Sequence, residues 1–147
     1  MAYASHTSVP EEKTRAEIEK LVRAAGCEGY ASGFDGAAAW VAFRHADRMI
    51  RFRLTTVGPG DVSGRGRTNA RAAADQENRS RWRRLLLCIR AKFEAVESGI
   101  ETLEEAFMPH IVMPDGAEFR TIGLAAIAHA YKTDRKSTRL NSSHRCL

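Results

Sequence analysis

ARAAADQENRSRWRRLLLCIRAKFEAVES, residues 70–98, decides the fold. Trp82, Leu86, Ile89, Phe93 and Val96 recur at intervals of four, three, four and three, which is one apolar stripe along a helix. Leu85 and Leu87 widen the stripe at its middle, so the centre is expected to be covered from more than one side. Ser98-Gly99 is a stop signal, because glycine takes the positive φ that ends a helix without a Cβ penalty. The spacing therefore predicts one long helix over Ala70–Ser98. Charge switches along it. From Arg65 to Lys92 nine basic residues face two acids, Asp75 and Glu77; from Phe93 to Phe119 there are seven acids and no Lys or Arg.

Upstream, Thr14-Arg-Ala-Glu17 fits a capping box, and Ile18, Leu21, Val22 and Ala25 follow at helical spacing up to Gly26. A first helix is predicted over Arg15–Ala25, after a loose leader at residues 1–12. From Glu28 to Thr56 the period changes to two. Gly29–Ser32, Ala37–Arg44 and Met49–Thr55 are predicted strands, with a turn at Phe34-Asp-Gly36 and a hairpin loop at His45-Ala-Asp47. Ile50, Phe52 and Leu54 alternate with Arg51 and Arg53, so the arginines belong to the opposite face of that strand. Val57–Thr68 (VGPGDVSGRGRT) is a glycine-rich linker, with Thr68 or Asn69 as a cap for the long helix.

Downstream, Thr102-Leu-Glu-Glu105 is a second capping box that opens a short helix closed by Pro109. His110–Met113 is a predicted short strand, Pro114-Asp-Gly116 a turn, and Thr121–Tyr131 a last, alanine-rich helix. Helix, two or three antiparallel strands, long helix and smaller pieces make an α+β domain with helices on one face of a small sheet. The domain is expected to occupy residues 13–133.

The remaining residues, 134–147, stand apart. Asp134–His144 (DRKSTRLNSSH) resembles a translated sequencing-adapter fragment, which would put the natural C-terminus near Thr133 and make 134–147 a disordered, artefactual tail. The tail carries four basic residues and one acid, so removing it lowers the formal net charge from +5 to +2. Global basicity is then a poor argument for nucleic acid, whereas the local run of arginines survives. No apolar run approaches the ~18–20 residues that span a bilayer. The N-terminus lacks the basic and apolar regions of a secretory signal. Cys27, Cys88 and Cys146 form no CxxC pair, and a reducing, cytoplasmic setting is the simplest expectation.

The arginines are the main functional candidates. Arg79, Arg83 and Arg90 lie near one another on the predicted helix, while Arg81, Arg84 and Lys92 flank its apolar stripe. Guanidinium groups donate to phosphate in a planar fork. Arg51 and Arg53 could join that patch if the helix packs nearby, and Trp82 or Trp40 could stack a base. Against this stand a solvated helix face, arginine stems covering core edges, and two core tryptophans. The glycine-rich linker is no P-loop, since Gly64 is followed by Arg65 where Lys-Ser/Thr is required. No two of the five histidines are three or four residues apart, and no cysteine sits beside one, so no metal site, cofactor or catalytic residue is expected. Glu94, Glu97, Glu101, Glu104 and Glu105 are expected to form an exposed acidic face, and Cys27 a buried helix-end thiol.

Arg81–Ile100 (RWRRLLLCIRAKFEAVESGI) followed by Phe107–Gly116 (FMPHIVMPDG) is similar to small uncharacterised proteins of phages, prophages and bacterial mobile elements. Thr14–Gly26 (TRAEIEKLVRAAG), the Gly29–Phe43 segment and Arg51–Leu54 (RFRL) fit the same pattern, so the resemblance covers most of residues 13–131. It implies a phage or prophage origin and carries no activity or functional residues. The chain departs from the pattern at Val57–Thr68, where the relatives have an acidic, proline-rich connection, and after Thr133. The leading expectation is a non-catalytic accessory protein that contacts nucleic acid through the arginine-rich helix. The alternative is a protein-interaction module, either a homo-oligomer whose basic and acidic helix segments pair or an inhibitor of a host factor.

Overall fold

A computed structural model describes residues 7–36, 38–62 and 67–145, with the side chains at 67–68 and 137–145 lying outside that description. The elements run α1 (Glu11–Ala24), β1 (Gly29–Asp35), β2 (Ala38–His45), β3 (Arg48–Thr55), a 3-10 turn (Pro59–Asp61), α2 (Arg67–Glu97), α3 (Leu103–Phe107), a second 3-10 turn (Met108–His110) and α4 (Phe119–Arg145). The fold is α+β, as the period change in the sequence predicts.

The three strands form an antiparallel meander in the order β1-β2-β3. Ala39, Val41 and Phe43 of β2 and Ile50 and Phe52 of β3 point to one face, and each is buried. The stripe of α2 covers that face. Trp82, Leu85, Leu86, Ile89 and Phe93 share one core with Ile18 and Val22 of α1 and Ala106 and Phe107 of α3. Phe43, Phe93 and Phe107 meet pairwise with ring centroids 5.0–5.8 Å apart, a separation at which edge and tilted aromatic contacts are favourable.

Several boundaries differ from those read off the sequence. α1 begins at Glu11, four residues before the predicted start, with Pro10 at the N-cap. Pro10 presets φ, and Glu11 and Glu12 complement the positive end of the helix dipole. Thr14 is therefore no cap; it is fully buried inside the helix. β1 extends three residues past Ser32, through the predicted turn at Phe34-Asp35. The β2–β3 hairpin closes on Ala46 and Asp47, both at positive φ (49° and 62°), the geometry whose twist matches a two-residue hairpin. The linker is pinned rather than loose at its start: the Asn78 side-chain amide donates to the Val57 carbonyl and accepts from its N–H, both at 2.9 Å. Residues 63–66 of that linker fall outside the described residues. Thr68 and Asn69, predicted caps, fall inside α2.

The second capping box forms as predicted. Thr102 Oγ1 accepts from the Glu105 N–H at 3.1 Å, and the Glu105 carboxylate accepts from the Thr102 N–H at 3.0 Å, which holds that carboxyl below its usual range. In place of the predicted strand His110–Met113, His110 closes the 3-10 turn, and Ile111 and Val112 make single bridges, Ile111 to Ile50 of β3 and Val112 to Glu118. α4 continues through Thr133 to Arg145, so the backbone of 134–145 is helical where a disordered tail is expected.

Candidate nucleic-acid interface

The expected helix patch is largely neutralised from within the fold. Arg83 turns toward α1, where its Nη1 donates to the Glu17 carboxylate at 2.9 Å, and its side chain is only 11 % exposed. Arg81 and Arg84 both reach Glu77, one and two turns earlier, and Arg81 also donates to the Thr55 carbonyl. Arg79 donates to Gln76 at 2.7 Å and lines a hollow with Glu11, Glu12 and Asp75, so acids already surround it. Burial pushes the Glu11 carboxyl above its usual range, and Arg15 and Arg79 work against that shift. Of the three helix candidates, Arg90 alone is exposed. Arg83 fastens α2 to α1, and Arg79 bonds within α2 beside the α1 acids Glu11 and Glu12.

Arg51 and Arg53 do not join that patch. The pleat sends them to the opposite face of the sheet from α2, because Ile50 and Phe52 occupy the core. Both donate Nε to one oxygen of Glu118, at 2.9 and 3.0 Å, and Arg51 adds a bond from Nη2 to the Gly116 carbonyl. The hydrogen bond from Arg51, reinforced by that from Arg53, holds the Glu118 carboxyl down at about 2. Glu118 is positioned by its bridge to Val112, beyond the β3 edge. Arg53 makes this pairing through Nε, and its side chain is 39 % exposed.

That same outer face holds one of the two tryptophans that the sequence leaves between base stacking and the core. Trp82 is buried, but Trp40 is on the outer side of β2, half-buried, with Arg53 opposite it on β3 and Gly33 opposite it on β1. A Cβ at Gly33 would stand 2.7, 2.9 and 3.1 Å from Cζ2, Cε2 and Nε1 of the indole. Three adjoining ring atoms at similar distances mean that the ring face lies over the glycine. Gly33 thus lets Trp40 lie along the sheet rather than stand from it. The indole borders a hollow of about 260 Å³ whose walls are Asp35, Ala42, Met49, Arg51 and Arg53. Around this platform the small residues Gly29, Ala31 and Ala42 keep the sheet surface low.

The rest of the surface offers little chemistry. Glu94, Glu97, Glu101, Glu104 and Glu105 are all exposed. Among the described residues no three His, Cys, Asp or Glu side chains group as metal ligands. Cys27 is half-buried and burial pushes its thiol up to about 11, the opposite of what a nucleophile requires. Among the described residues no helix is long and apolar enough to cross a membrane. Comparison with known protein families, with curated proteins and with solved structures gives no match.

Proposed function

We propose that the protein is a non-catalytic accessory protein, of phage or prophage origin, that contacts single-stranded nucleic acid. The contact is through the outer face of the sheet rather than through the arginine-rich helix. The supporting observation is Trp40, an indole laid along an open sheet face with Arg53 beside it. A base has a π-face whatever its identity, so an aromatic platform holds single strands without sequence preference. A duplex conceals those faces, which makes the single strand the better ligand. Arg53 would reach the adjoining phosphate through its Nη groups, with Arg51 behind it.

Charge near the platform is almost balanced, since Arg44 pairs with Glu28 at 3.4 Å and Asp35 and Glu118 face the two other arginines. Stacking therefore leads, and the salt slope should correspond to about one or two phosphate contacts. The test is binding of labelled single- and double-stranded oligonucleotides, with Trp40→Ala, Arg53→Gln and Arg79→Gln compared. Loss of one stacked base is worth about 1–3 kcal/mol, so Trp40→Ala should weaken single-strand binding by roughly five- to a hundredfold. Arg53→Gln should weaken it less, and Arg79→Gln should leave it unchanged. Absence of binding at tens of micromolar, or loss with Arg79→Gln and not with Trp40→Ala, would overturn the proposal.

A further inference from the structure

We propose that α4 is a self-association helix that pairs antiparallel with α4 of a second copy of this chain. Among the described residues its first turn ties it to the domain, through the Phe119 N–H donating to the Ile111 carbonyl at 2.8 Å and the Phe119 ring. From Leu124 to Lys136 every side chain is exposed. Yet this is the most apolar helical stretch of the chain: Ile122-Gly-Leu-Ala-Ala-Ile-Ala-His-Ala-Tyr131 holds one polar residue. Ile122, Leu124, Ile127 and Tyr131 are 49, 64, 56 and 68 % exposed. A helix that is apolar nearly all round belongs inside a larger structure.

The pattern along the helix favours another copy of itself. Leu124, Ile127 and Tyr131 are spaced three and four apart, and Arg120 precedes them by four, so the four form one seam. In an antiparallel pair with Leu124 of one copy beside Ile127 of the other, symmetry repeats that layer. It also sets Arg120 of each copy against Tyr131 of the other, a cation over an aromatic ring. The same register lays Lys132 alongside the second copy's Phe119. There a groove of about 250 Å³ is lined by Met108, Ile111 and Met113, with Arg48 and Glu104, paired at 3.0 Å, at its edge. Two helix seams of about 17 Å with the two grooves bury on the order of 1,000 Å², the lower end for a specific interface, so the dimer is weak and concentration-dependent. The surface is distinct from the Trp40 platform, and its test is independent of nucleic acid.

The experiment is sedimentation equilibrium of the full chain from about 1 to about 200 µM, a span that brackets micromolar dissociation constants. The expected result is a monomer–dimer equilibrium within that range. Ile127→Asp and Tyr131→Asp should each raise the dissociation constant at least tenfold. Both side chains are exposed in the monomer, so circular dichroism and melting of the dilute protein should stay as in the parent. A monomer throughout the range, or variants that dimerise like the parent, overturns the proposal. So does a monomeric parent that co-sediments with phosphatidylglycerol vesicles, which would make a lipid surface the occupant of the helix.

Discussion

Glu118→Gln should destabilise the fold and strengthen nucleic-acid binding at the same time. One oxygen of Glu118 receives Arg51 and Arg53 at 2.9 and 3.0 Å, and its side chain is 10 % exposed. Its pKa of about 2, against the ordinary 4.5, sets a ceiling of about 3 kcal/mol on what the charged carboxylate contributes. Arg51 and Arg53 are 24 and 39 % exposed, so water screens both pairs, and glutamine keeps an accepting oxygen. About 1–2 kcal/mol is the expected loss, or roughly 3–8 °C in Tm. The folded pKa is depressed, so the stabilisation is fully present above pH 4.5 and is lost as pH falls toward 2. Urea titrations of the two proteins should therefore differ at pH 7 and converge near pH 2. On the binding side, removal of the internal anion leaves two guanidinium groups for phosphate, and the salt slope should rise by about one. Equal stability at pH 7 would show that the carboxylate is already solvated. A stable protein that binds oligonucleotides less tightly would refute the assignment of Arg51 and Arg53 to the interface.

Ile89 is fully buried at the centre of the core, so Ile89→Asp leaves an unpaired charge there and should unfold a domain whose stability is about 5–15 kcal/mol; circular dichroism and thermal melting would show it. Ala46 is held at φ 49°, which costs an L-residue about 1–2 kcal/mol, so Ala46→Gly should raise the urea midpoint by about 1 kcal/mol equivalent. The His110 ring stacks on Phe52 with centroids 4.0 Å apart, and burial, then Lys92 and Arg120, hold its pKa down at about 4. A neutral native histidine loses stability as pH falls from 6.5 to 4, by about 2 kcal/mol, and His110→Gln should flatten that segment of the pH–stability curve.

The architecture was legible wherever one periodicity ran long enough. The stripe from Trp82 to Phe93 and the alternation of Ile50 and Phe52 each fix which face is buried, because burial and period are the same physical fact. The Thr102 capping box was legible for a related reason: both of its hydrogen bonds close within three residues. The Thr14 box matched the same pattern and failed. Pro10 and two following glutamates offered an earlier start, and Thr14 went into the core instead. Local motifs compete, and a capping box is decided by which candidate start the tertiary structure leaves exposed.

The site was less legible, because charge reads locally while ion pairs form across the fold. Arg83 is neutralised by Glu17, 66 residues away, and Arg51 by Glu118, 67 residues away, so counting basic residues in a window overstates the field they produce. Trp40 was left between base stacking and the core for a different reason. A tryptophan beside Val41 and Phe43 reads as bulk for the core, and only the pleat, which buries Val41 and Phe43 together, forces Trp40 outward. The available signal was Gly33, a glycine inside a strand, which marks a place where something lies close against the backbone. Pairing β1 with β2 brings that glycine to Trp40 and turns a weak point in the strand into a seat for the indole. Substituting Gly33 by valine should therefore displace the ring while leaving the opposite, core-facing side of the sheet intact. Oligonucleotide binding should fall with Gly33→Val about as far as with Trp40→Ala, and near-parental binding by that variant would mean that the lie of the indole is incidental to the contact.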